Sequence, residues 1–181
     1  MEILTKRLLL RKWCETDADA LYEIGRNPEV KSAGWEVYTS RKQAEAAIAA
    51  WKNFDDTWAI VRQDTETVIG WIVLEDCGRD ERYREMEFVI AASEKGHGYA
   101  TEAALAVLGH AFAELDMSAV AICHYPDNHA SRRVIEKCGF TYEGTLRRYS
   151  RHLTDSVRYS MLKEEWEKQV FSGIPSSKTV I

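Results

Sequence analysis

Two glycines one residue apart, Gly96 and Gly98, lie in the run Glu94-Lys95-Gly96-His97-Gly98-Tyr99-Ala100-Thr101-Glu102. The residues before them read as the end of a strand and those after them as a long helix. A turn without side chains lets backbone N–H groups approach an anion closely, and the unpaired amides and dipole of the new helix point the same way. The chemistry that suits this turn is the grip of a pyrophosphate; a plain glycine turn is the competing reading. A Walker loop would need Gly-Lys followed by Ser or Thr, which is absent. A dinucleotide fingerprint would want a third Gly or Ala where Thr101 stands and an acidic residue closing the next strand, which ends instead in Cys123-His124.

Proton-transfer groups stand close by in sequence. Glu85 and Glu87 alternate with Met86 and Phe88, so in a strand both carboxylates share one face. Catalysis and a solvated face are both open for them. Imidazole is the side chain best suited to proton transfer near neutral pH, so His124 is either a base or a hydrogen-bonded structural histidine. Asn128 and Ser131 are types that cap a helix entry. The cluster Arg147-Arg148-Tyr149-Ser150-Arg151-His152 offers charge to an acidic peptide or a phosphate, or protects a strand edge.

These residues need a scaffold, and the hydrophobic pattern supplies one. Residues 3–12 read as a first strand, Thr16 to Asn27-Pro28 as a helix, and Ser40 with Gln43 as a capping box opening a second helix. Trp58–Val61 and Val68–Val73 flank Asp64-Thr65-Glu66 as a hairpin, and Met86–Ile90 forms another strand. Leu105, Leu108, Phe112 and Leu115 carry a helical period over 99–115, residues 119–123 form a short buried strand, and 128–137 form a helix closed by Gly139. Two strands near 140–150 and 156–163 precede a polar tail. The implied fold is α/β (α+β), one mostly antiparallel mixed sheet with helices on both faces: a single domain over 1–170 and a frayed tail over 171–181.

Composition narrows the function. The 181 residues carry a net charge of −5, which argues against a nucleic-acid partner. No apolar run reaches the length of a membrane span, and no secretory segment opens the chain, so neither a membrane partner nor export is expected. Four cysteines without a Cys-x-x-Cys pair read as buried thiols in a reducing cytoplasm rather than a disulfide framework or a metal site.

The glycine turn together with Asn128-His129-Ala130-Ser131-Arg132-Arg133-Val134-Ile135-Glu136-Lys137-Cys138-Gly139-Phe140 resembles the GNAT superfamily of N-acetyltransferases, in particular its RimJ/RimL-like branch. Leu8–Trp13, Asn27–Val30 and Tyr159–Trp166 agree with that branch, so the likeness spans residues 4–166. It implies acetyl-CoA as cosubstrate, no metal, and an amine acceptor that is a protein N-terminus or a small molecule; dimers are common in the branch. Its pyrophosphate loop falls on Lys95, Gly96, His97, Gly98, Tyr99 and Ala100. Phe88, Val89 and Ile90 fall on the splayed strand that pairs with the pantetheine arm, and Asn128 on the asparagine that contacts that arm. Ser131 matches the serine that protonates the departing thiolate, with Tyr159 as the other candidate, and Glu85 matches an acidic residue on the splayed strand. Trp35 and Tyr38 fall where the branch builds its acceptor wall. The chain departs from the pattern at Ser93, where Gln or Arg is common, at Lys95, often aromatic, and at Glu87, often glycine, so two carboxylates compete for the role of base.

The chemistry asked of such a base is modest. An α-amino group titrates near ~7.8, so its neutral form costs only about 1 kcal/mol at neutral pH, against about 4.6 kcal/mol for a lysine near ~10.4. The competing functions are a coenzyme-binding regulator without turnover, a polyamine or antibiotic acetyltransferase, and a nucleotide-binding module.

Overall fold

The computed structural model describes residues 1–171. Of the expected polar tail, 172–181 lie outside the described residues. Along the chain come β1 (Ile3–Leu4), β2 (Leu8–Arg11), α1 (Ala18–Gly25), α2 (Arg41–Trp51), β3 (Thr57–Arg62), β4 (Val68–Glu75), β5 (Tyr83–Ile90), α3 (Tyr99–Ala113), β6 (Ala119–His124), α4 (His129–Cys138), β7 (Thr141–Leu146), β8 (Ser156–Leu162) and α5 (Lys163–Phe171). The strands form one sheet in the order β1-β2-β3-β4-β5-β6-β8-β7. Every neighbouring pair is antiparallel except β5 and β6, which run parallel.

Alternation along the strands divides the core in two. Met86 and Ile90 of β5 join Leu10, Ile60 and Ile72 beneath α3, α4 and α5, while Val89 joins Ala59, Val61 and Trp71 beneath α1 and α2. On the second side Trp13, Trp35, Trp51 and Trp71 form a ring-on-ring cluster with centroids 5.4 to 6.1 Å apart. The capping box opening α2 is formed by Ser40 and Gln43, as its sequence predicts.

Two elements differ from the expected pattern. The first strand is broken at Thr5-Lys6-Arg7: Thr5 bonds Leu8 through its backbone N–H and its hydroxyl, folding β1 back on β2. The end of the chain adds the helix α5, whose Trp166 packs 5.9 Å from Phe112. Its polar composition hides it, because a single buried aromatic anchors it.

The feature that makes room for a ligand lies at the centre of the sheet. β5 pairs with β6 only from Tyr83–Ala119 to Met86–Ile122, yet it pairs with β4 as far as Ile90. Past His124 the chain enters Tyr125-Pro126, and proline cannot extend a ladder. Ala91 N–H bonds the Ile69 carbonyl across to β4. By alternation, Phe88 and Ile90 then turn their backbone N–H and C=O groups to the side that β6 has left open.

Gly70 holds β4 against this open segment, since a Cβ there would stand 2.1 Å from the Val89 carbonyl oxygen and 3.1 Å from Ile90 Cα. Gly70→Ala is expected to cost about 1–3 kcal/mol as an overpacking change. The urea midpoint checks it; an unchanged midpoint would contradict the tight β4–β5 contact.

Candidate functional site

The open end of β5 borders two cavities that meet. The larger, about 690 Å³, runs from Phe88–Ala91 to the glycine turn and the first turn of α3, with Arg133 and Lys137 of α4 along its wall. The smaller, about 380 Å³, lies over Glu75, Glu85, Glu87 and Cys123, under the β7–β8 hairpin loop. Ser32, Ala33, Phe88, Asn128 and Ser131 border both.

The turn has the form its glycines imply. Gly96 and Gly98 adopt φ of 85° and 82°, the left-handed region that other residues enter at a cost. Gly98 is the N-cap of α3, and no side chain caps this helix. Its first amides therefore lack an intrahelical or side-chain partner and face an end of the larger cavity lined by Tyr99, Ala100 and Thr101. Arg7 braces the turn from β2's side: Nη1 donates to the His97 carbonyl at 2.9 Å, Nε to Glu102 at 2.7 Å, and the guanidinium lies 4.5 Å from the Tyr99 ring centroid.

The expected coenzyme-side residues are placed unevenly. Phe88, Val89, Ile90, Lys95, Gly96, Gly98, Tyr99, Ala100, Asn128 and Ser131 all border the larger cavity. His97 does not: its ring stacks near Tyr99 and its Nδ1 meets the Glu94 carbonyl, so its side chain braces the turn from outside. Asn128 caps α4 by accepting from Ser131 N–H at 3.0 Å, and its Nδ2 donates to the Ser32 carbonyl at 2.7 Å. Lys95 pairs with Glu29. The short turn over Pro28–Ala33 is thus tied to both flanks of the cavity.

The acceptor-side expectations need more revision. Trp35 stands edge-on to Trp51 and Trp71 in the aromatic cluster, and Tyr38 packs on Gly25; neither borders either of these two cavities. Tyr159 is also off both cavities, 5% exposed and ringed by His124 and Tyr142. His124 does border the smaller cavity. Its Nδ1 lies 2.7 Å from the Tyr125 carbonyl and donates there, while its buried Nε2 has no partner.

Glu85 and Glu87 both face the smaller cavity. Glu85 accepts from the Cys123 thiol at 3.3 Å, and burial foremost, then Glu85, pushes that thiol up to about 12. Burial is also the main cause that raises Glu87 to about 7, helped by Glu75 and Glu85 and opposed by Arg151. Glu75, Cys123, Tyr149 and Arg151 were not singled out individually as site residues from sequence. The strand pairing of Glu75 with Glu85 is the signal that finds the first, and it needs the register of the sheet. Two cysteines also depart from expectation: Cys14 and Cys77 are exposed, because each lies in a connecting segment and not on a core face. Among the described residues no group of three or more His, Cys, Asp or Glu is placed to hold a metal ion, and no helix is long and apolar enough to cross a membrane.

Comparison with known proteins agrees with this architecture. Residues 7–141 match the model of the acetyltransferase (GNAT) domain. The chain is 32% identical to an uncharacterised N-acetyltransferase of Bacillus subtilis (strain 168), YoaA, over 80% of this chain and 85% of that protein. It is 38% identical to YdaF of the same organism, named provisionally as a ribosomal N-acetyltransferase, over 56% of this chain and 57% of that protein. A solved GNAT-family acetyltransferase from Bacillus anthracis superposes with a TM-score of 0.85 at 27% identity, covering 91% of this chain and all of the other.

The displaced titration of Glu87 has a sign that can be measured. Its carboxyl is raised by folding, so its contribution to stability is fully present below the ordinary value of 4.5 and is lost as pH rises through about 7. Glu87→Gln is expected to stabilise the fold at pH values above this window by up to about 3 kcal/mol and to change it little in acid. Denaturant melts at acid and alkaline pH test this; equal effects at both would contradict the burial of an ionisable Glu87.

Proposed function

The chain belongs to the GNAT acetyltransferase family and is an N-acetyltransferase, and from that premise we propose that it carries an acetyl group from acetyl-CoA directly to an amine. The observation that carries this reading is the junction of the two cavities at Phe88, Asn128 and Ser131, with an uncapped helix N-terminus at the far end of one and a carboxyl raised to about 7 in the other. The larger cavity is of the size that takes a cofactor. The free amides of Gly98, Tyr99 and Ala100 suit its diphosphate, and the unpaired edge of Phe88 and Ile90 suits an extended arm that adds as a strand.

The thioester supplies an activated acetyl group and a thiolate leaving group. Glu87 takes the proton from the ammonium form of the acceptor, or from a water beside it, and the neutral nitrogen attacks the carbonyl carbon. An N–H of the open β5 edge donates to the carbonyl oxygen as negative charge develops there. The C–S bond then breaks as the nitrogen gives up its second proton through water to the departing thiolate, which becomes the thiol, and the hydroxyl of Ser131 donates a hydrogen bond to that sulfur. A thiolate near ~8.5 needs little more help. Glu85, bonded to Cys123, stands near the acceptor, and the unpartnered Nε2 of His124 is a further polar contact on the same cavity. Tyr159 and the acceptor-wall roles of Trp35 and Tyr38 are set aside, since all three pack away from the cavities.

The likeness to YdaF supports a place near the ribosomal-protein branch, with a protein α-amine as one acceptor class and a small amine as the other. Four unpaired cysteines, two of them exposed, suit a reducing compartment, and we place the protein in the cytoplasm.

Two variants separate binding from chemistry. Gly98→Val is expected to weaken coenzyme binding about tenfold or more, because valine resists positive φ and tilts the first amides of α3 away. Glu87→Gln is expected to keep coenzyme affinity and lose about 10²-fold or more in kcat. With a weakly basic acceptor, kcat of the native enzyme rises through pH of about 7 to a plateau, set by Glu87, and the variant loses that limb. Calorimetry with CoA beside a thiol-release assay checks all three; native CoA affinity in Gly98→Val would overturn the cradle.

A further inference from the structure

The smaller cavity carries more negative charge than a single base requires. Glu75 and Glu85 are direct cross-strand partners, an arrangement of like charges that destabilises a sheet unless something neutralises it. Glu87 lies on the same face two residues along. None of the ion pairs among the described residues uses Glu75, Glu85 or Glu87. Two cations stand near. Arg151, on the β7–β8 loop, acts on Glu87. Arg158 feels Glu85 but is bonded to Glu143 and to the Tyr83 hydroxyl.

A second observation points to a ligand. His124 is 6% exposed and borders this cavity, and its buried Nε2 has no hydrogen-bond partner. The carboxylates from two strands and the unpartnered imidazole nitrogen outnumber Arg151, the cation that borders the same cavity. A compact metal ion does not fit them, because no three are placed to coordinate one. An elongated donor with positive charge at two points does.

We propose that the acceptor is an amine bearing a second positive charge, with its reacting nitrogen at Glu87 and its second ammonium held between Glu75 and Glu85. This rests on the reading of the smaller cavity as the acceptor site. The geometry sets the spacing. Glu85 and Glu87 are about 7 Å apart along the strand, and Glu75 faces Glu85 at about 5 Å. The two charges of the acceptor are thus separated by roughly 7 Å, the reach of a short alkyl chain. Such a charge arises in a free alkyl diamine or in a peptide with a basic side chain next to its N-terminus.

The test is steady-state acetylation with acetyl-CoA of putrescine and cadaverine against butylamine, and of tripeptides with Lys or Ala in second place, by native enzyme and Glu75→Gln. Glu75 is exposed and acts on Glu87 only through its charge, and its replacement removes a repulsion, so the variant is expected to fold with an unchanged or higher melting temperature. The proposal predicts a kcat/KM for at least one dicationic series about tenfold above its monocationic control. It also predicts that Glu75→Gln, assayed on the kcat plateau where Glu87 is ionised in native enzyme and variant alike, raises KM for that series about three- to tenfold more than for the control. Diamines responding place the second charge on a small molecule, and only the Lys tripeptide responding places it on a peptide. Equal use of both charge classes, or an equal loss for both in Glu75→Gln, overturns the proposal and leaves acetyl transfer to amines intact. Should no amine turn over, the reading of the cavity as an acceptor site fails, and calorimetry of putrescine with the CoA-bound protein decides the rest. Heat that is lost in Glu75→Gln upholds a dication site; silence overturns it.

Discussion

The structure depends on a pairing that stops early. β5 and β6 share a ladder for four residues each and then part, while β4 keeps its hold on β5 to the end. In a buried sheet an unpaired N–H or C=O is costly, so a strand edge left open at the centre of a fold calls for a partner. Here the partner is proposed to be a ligand. The same parting lets the first turns of α3 and α4 approach the gap from two sides and gives the larger cavity its length.

The two helix entries that flank the gap are built differently. α4 is capped from within, with Asn128 satisfying the Ser131 amide, and this fixes Ser131 at the junction of the cavities. α3 has glycine at its cap and no side chain to serve its amides. One terminus is closed and positions a hydroxyl; the other is left open for an anion. Across the sheet, alternation sends Glu85 and Glu87 to the opposite face from Met86, so one strand supplies a buried apolar wall and a row of carboxylates. Removing Glu87 from water raises it toward neutrality, where a carboxyl both accepts and releases protons at physiological pH.

Much of this was legible in the residues. The glycine pair, the strand–turn–helix around it and the Asn128–Ser131 entry are local signals, written in backbone requirements that few residue types meet. The alternation of Glu85 and Glu87 gave their shared face. What sequence did not separate was the two carboxylates: the preference for Glu85 came from resemblance, whereas the raised titration of Glu87 is set by burial under the β7–β8 loop and by Glu75, a contact between strands that local pattern does not contain. Sequence alone did not place Trp35, Tyr38 and Tyr159 for a related reason. Aromatic residues near a site serve packing and recognition alike, and only the tertiary structure shows Trp51 and Trp71 set edge-on to Trp35, or His124 and Tyr142 against Tyr159. The helix α5 escaped because one buried tryptophan, not a periodic face, secures it.

The central claim is that main-chain groups at two separate places, the start of α3 and the open edge of β5, hold one ligand. Backbone amide NMR during a CoA titration tests it most directly. The account predicts that the largest shifts fall together, with one affinity, on Gly96 to Ala100 and on Phe88 and Ile90, and that Val89, bonded to β4, moves less. Shifts confined to either place alone, or centred elsewhere in the sheet, would contradict it.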